Sequence, residues 1–282
     1  MPKPQTLMTG ISFGESPRWH EDRLWFSDWG TQEVVAVDLR GNSEVMVRAT
    51  TTGPFCIDWL PDGRLLVVSG PEARLLHREP DGSLVDHADL SGISGHPWND
   101  IVVDGRGNAY VGNIGFDFPA GEFAPGSLAL VTPEGEARQV ADGLAFPNGV
   151  AVTSDDSTLI VAESYGGRLT AFDIGAGGGL SNRRVWADLD GGVPDGICLD
   201  AEGAVWYADV PNERCVRVRE GGEVLQTVEL DRGCFACMLG GPDGKTLFMV
   251  AREWRGMESA ADEGRTGQIL TAPAPAAGAG RP

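Results

Sequence analysis

Six times along the chain a turn leads into an apolar run, and a second short run follows a few residues later. Arg23-Leu24-Trp25-Phe26-Ser27-Asp28, Leu65-Leu66-Val67-Val68, Asn108-Ala109-Tyr110-Val111-Gly112, Thr158-Leu159-Ile160-Val161-Ala162, Ala204-Val205-Trp206-Tyr207-Ala208 and Thr246-Leu247-Phe248-Met249-Val250 open the six units. Successive units start roughly 40 to 50 residues apart, the length of a four-stranded propeller blade. Runs of β-branched and aromatic residues bounded by Asp-Gly and Pro-Asp-Gly read as antiparallel strands, and no stretch keeps a helical period over three turns. A β-sandwich competes, but six regular units fit it poorly. The pattern predicts an all-β, six-bladed β-propeller over residues 1–271, with Gln5 to Thr9 as the outer strand of the last blade, which closes the ring and removes exposed sheet edges. The tail 272–282, rich in Ala, Pro and Gly, is expected to be disordered.

Composition narrows the partners. The 282 residues carry a formal net charge of -19, which argues against nucleic acid and anionic membrane surfaces. No run reaches the length of a membrane span, and Met1 to Gly10 has no apolar core of a signal peptide. A cytoplasmic setting is expected, with the five cysteines as free thiols. Cys234 and Cys237 form a C-x-x-C without the second pair or histidines a zinc site needs, so both read as buried strand residues.

In a propeller the innermost strand of each blade lines a central channel. The residues at the entrances of those strands are Glu15, Phe55, Asn99, Asn148, Asp195 and Cys234. Their common spacing from the next strand places them at one end of the channel. Four of them offer a carboxylate or amide oxygen, a donor set for a hard cation such as Ca²⁺. Pro147-Asn148-Gly149 and Pro194-Asp195-Gly196 are also ordinary β-turn sequences, and the agreement of four units favours the site. Other chemistry fits less well. There are four histidines, none placed as the base of a triad, and there is no G-x-S-x-G elbow and no phosphate loop opening a helix.

Gly14-Glu15-Ser16-Pro17, Asn99-Asp100, Phe146-Pro147-Asn148-Gly149, Pro194-Asp195-Gly196 and Cys237-Met238-Leu239-Gly240-Gly241 together resemble, in order and over nearly the whole chain, the gluconolactonase family that includes regucalcin. The resemblance implies one divalent cation in the channel and a lactonase, with related members hydrolysing organophosphorus compounds. It implies Glu15, Asn148 and Asp195 as metal ligands, Asn99 beside them as ligand or substrate contact, and Asp195 as general base. Ca²⁺ is the expected ion, with Zn²⁺, Mn²⁺, Mg²⁺ and Fe²⁺ as alternatives. Sugar-lactone members carry an Arg two residues before the channel Asn, where this chain has Pro97. Aromatic residues crowd the expected channel mouth, and Gly115 to Pro125 is long for a hairpin connection. A small-molecule lactone or ester more apolar than gluconolactone is therefore expected, with His96, Trp98, Phe116 and Glu122 as further substrate contacts. A phosphotriesterase and a non-catalytic Ca²⁺-binding propeller are the alternative readings.

Overall fold

A computed structural model of the chain describes residues 3–256 and 264–281. Its strands form six four-stranded antiparallel sheets arranged as the blades of a propeller. Five sheets each use four consecutive strands. The sixth takes three from the end of the chain and its outermost, Gln5–Ile11, from the start. That strand pairs with Gly267–Pro273, Gln5 opposite Thr271 and Ile11 opposite Gly267, so the two ends of the chain close the ring by hydrogen bonds.

Side-chain alternation explains why the strands are apolar throughout. Successive residues of a strand face opposite sides, and each blade is covered on both faces by its neighbours. Leu65 and Val67 pack toward the first blade, whereas Leu66 and Val68 pack toward the third. Six apolar clusters result, one at each junction between blades. All five cysteines are buried free thiols, as expected of strand residues.

The inner strands are Gly14–His20, Ile57–Trp59, Trp98–Val103, Pro147–Val152, Pro194–Leu199 and Gly233–Gly240. In five of them the pairing slips just after the entrance, for example between Pro194 and Ile197 opposite Asp209 and Tyr207. One extra residue at such a bulge re-aims the side chains around it.

The tail corrects the expectation of disorder. Ala274 N–H donates to Lys245 O, Gly278 N–H to Gly244 O and Ala279 N–H to Leu199 O, and Ala201 N–H donates to Ala277 O. Arg281 exchanges both backbone bonds with Val152, and its side chain pairs with Asp156 at 2.6 Å. The segment thus straps blades six, five and four together at the far end of their inner strands. Its composition reflects tight fit: a Cβ on Gly280, whose φ is +86°, would stand 2.6 Å from Val152 O. Truncation after Pro273 is expected to lower stability by roughly 2 kcal/mol, the net of these bonds and the chain entropy regained. A thermal midpoint equal to that of the full chain would contradict this account of the tail.

Candidate metal centre and active site

The entrance residues of blades one, three, four and five converge. Glu15, Asn99, Asn148 and Asp195 all line one cavity of about 420 Å³ at the near end of the channel. Asn99 Nδ2 donates to Asn148 Oδ1 at 3.1 Å, Asn148 Nδ2 to Ser164 Oγ at 3.3 Å, and Ser164 Oγ to Pro194 O at 2.7 Å. The glycine after each of the last two donors is required by proximity, not by a turn. A Cβ on Gly149 would lie 2.5 Å from Asp195 O, and one on Gly196 would lie 2.6 Å from Ala236 Cβ. Pro-Asn-Gly and Pro-Asp-Gly are therefore bulged strand entrances rather than β-turns. Blade one uses Ser16 instead, at φ 51°, and its hydroxyl accepts Ile57 N–H at 2.9 Å.

The electrostatics of the floor are lopsided. Burial, followed by the charges of Asp195 and Asp100, pushes the Glu15 carboxyl well above the usual carboxylate range. Burial and then Asp100 do the same to Asp195, against a hydrogen bond from the Asn148 side chain. The cation closest in sequence, Arg18, is engaged elsewhere. Its Nη2 donates to Asp100 Oδ1 at 3.2 Å and to Ile101 O at 2.6 Å, its Nη1 donates to Pro17 O, and its Nε stands 3.9 Å from Asp58 Oδ1. No Lys, Arg or His lines the cavity among the described residues. A buried and a half-buried carboxylate and two amides thus face one space with their charge unbalanced, an arrangement that fits a divalent cation with oxygen ligands. Among the described residues that line the cavity there is no His or Cys, the ligands a softer metal prefers.

The chain is similar to known proteins in sequence and in fold. The model of the SMP-30/gluconolactonase/LRE-like region matches residues 13–253. The chain belongs to this family. Regucalcin of Xenopus laevis is 33% identical over 162 residues, which is 55% of this chain and 54% of that protein, so this match spans about half of the relative's length. Diisopropyl-fluorophosphatase of Loligo vulgaris is 29% identical over 247 residues, covering 78% of this chain and 77% of that enzyme. The structure of a luciferin-regenerating enzyme superposes with a TM-score of 0.82 at 19% identity, covering 98% and 97% of the two chains, and shares the fold.

Within this SMP-30/gluconolactonase/LRE-like propeller, four further expected contacts fall away from the cavity. Trp98 is fully buried between blades two and three; adjacent strand residues face opposite sides, so the position that sends Asn99 to the channel sends Trp98 into the core. His96 is exposed and holds Asp117 Oδ1 at 3.0 Å with Nδ1. Glu122 is exposed on the 115–125 insertion, where its charge stays hydrated. Phe116 is buried behind the wall, packing on Phe118 and Phe146, which do line the cavity.

Sequence reasoning missed much of the wall. Phe13, Tyr165, Phe235 and Trp254 line the cavity beside Trp29 and Phe118. It also missed the buried Arg18–Asp100–Asp58 group beneath the donors. Asp100 follows Asn99 directly, and the bulge there, visible only in the sheet register, brings both to the channel.

Proposed function

We propose that the protein is a divalent-metal-dependent hydrolase that opens a lactone ring. The convergence of Glu15, Asn99, Asn148 and Asp195 at the floor of an apolar cavity carries this reading. Glu15, Asn148 and Asp195 would hold the cation, with Asn99 beside them, and Ca²⁺ suits the all-oxygen set best. A cation in that place supplies Lewis acidity to a carbonyl oxygen and offsets the oxyanion charge. Asp195 accepts the proton of the attacking water as its oxygen bonds to the carbonyl carbon. When the ring C–O bond breaks, Asp195 returns that proton to the departing alkoxide.

The wall sets the substrate class. Trp29, Phe118, Phe146, Tyr165, Phe235 and Trp254 offer apolar contact, and no cationic side chain among the described lining residues is available for a carboxylate or phosphate monoester. The expected substrate is a neutral aryl- or alkyl-substituted lactone. Activity should vanish on chelation, return with Ca²⁺, and favour such lactones over gluconolactone in a panel followed by acid release. Undiminished hydrolysis in excess chelator would refute the metal dependence, and a strong preference for gluconolactone would refute the apolar class. The match to the Loligo vulgaris enzyme favours a second reading as a phosphotriesterase-like hydrolase, which a neutral fluorophosphate assayed in the same panel would reveal.

A further inference from the structure

Each of the four donors is preceded by a short loop that enters the inner strand, and in each blade one buried polar side chain holds that loop. In blade one, Asp28 accepts the backbone N–H groups of Ser12 at 3.1 Å and Phe13 at 2.8 Å, three and two residues before Glu15. In blade three, Asn113 Nδ2 donates to His96 O at 2.8 Å and Pro97 O at 3.2 Å, three and two residues before Asn99. In blade four, Glu163 accepts Ala145 N–H at 2.7 Å, three residues before Asn148. In blade five, Asp209 accepts Val193 N–H at 3.2 Å, two residues before Asp195.

The four side chains occupy one structural position. Each is the last residue of its blade's second strand. Each lies in register opposite the residue just before the donor, as the pairs Gly14–Asp28, Trp98–Asn113, Pro147–Glu163 and Pro194–Asp209 show. All are 5% exposed or less. The two blades whose entrances are Phe55 and Cys234 place Ser69 and Arg252 there instead, and the Ser69 hydroxyl donates to Glu72. The acid or amide is thus found where the entrance carries an oxygen donor.

We propose that Asp28, Asn113, Glu163 and Asp209 are positioning residues that fix where the four donor oxygens meet, and so set the cation affinity of the site. The inference rests on the proposed cation site. Groups that hydrogen-bond a metal's ligands commonly change its affinity by about 10- to 100-fold, and these four side chains hold the loops that carry the ligands. Asp28 is the cleanest test, because among the described residues the hydrogen bonds of its carboxylate go to the loop N–H groups alone.

Ca²⁺ binding by the full chain is to be measured by titration calorimetry, with the thermal midpoint of each Ca²⁺-free variant alongside. Asp28→Ala is expected to weaken Ca²⁺ binding about 10- to 100-fold. Asp28→Asn, which keeps an acceptor for Phe13 N–H, should recover most of the affinity. Ser69→Ala should bind as the unchanged chain does. A folded Asp28→Ala variant with unaltered Ca²⁺ affinity, even with a lowered midpoint, would overturn the proposal. If that variant does not fold, Asn113→Asp, which loses both donors to the His96–Pro97 carbonyls, is read in the same way. An unmutated chain that binds no divalent cation would instead remove the cation site itself, and the clamps' role with it.

Discussion

Asp195→Asn is expected to lower kcat for lactone hydrolysis by about 10²- to 10⁴-fold, the usual worth of a positioned base. The substitution keeps size and one oxygen but removes the charge and the capacity to take a proton. It also removes half of the carboxylate charge that Glu15 and Asp195 present together, so Ca²⁺ affinity should fall as well. The two effects separate at saturating Ca²⁺: recovery of binding without recovery of kcat identifies the base role. Restoration of full kcat under those conditions would leave Asp195 as a ligand only. The apo protein should gain stability, because repulsion from Asp100 and part of the burial penalty disappear.

Arg18→Met should produce the largest loss of stability. Arg18 and Asp100 are both nearly buried, and Asp58 stands beside them. Deleting one member of a buried ion pair strands the other charge, which costs about 3–5 kcal/mol, a fall in thermal midpoint on the order of 10 °C for a domain of this size. The deficit should depend on pH. Burial already raises Asp58 to about 6 while Arg18 holds it down, so without Arg18 its folded-state pKa rises further. A carboxyl raised in the folded state favours folding when protonated, and that advantage is lost as pH rises through the folded value. The variant should therefore be weakest above pH 6 and regain stability in acid. A pH-independent deficit, or none, would show that the guanidinium does not neutralise these carboxylates.

The ring was legible because it is written in local patterns. Strand alternation and turn residues repeat with the blades, and Gln5 to Thr9 had no partner except a sheet still missing its edge. The convergence of Glu15, Asn99, Asn148 and Asp195 on one cavity was legible because each lies a similar distance, eight to ten residues, before the strand that follows. What lay hidden depends on pairing across blades. Nothing near Arg18 in sequence announces Asp100, which it meets across 82 positions. Nothing near Asp28 or Glu163 shows which loop each holds until the sheet register is known. Trp98 was misplaced because neighbouring strand residues point apart, and the bulge that redirects its neighbours cannot be read from spacing. The tail was misread because small residues suit close packing as well as they suit disorder.

The far end of the propeller carries a consequence for traffic. Arg18 borders both the void of about 10 Å³ beneath the donors and the basin at the opposite end, where Gly280 and Arg281 of the strap lie. Among the described residues Arg18 therefore stands between the chamber floor and that basin, so the aromatic rim is the wide approach to the donors. On the proposed lactonase reading, the ring-opened acid is expected to inhibit competitively with the lactone, and bulk added at the rim to slow exit as well as entry.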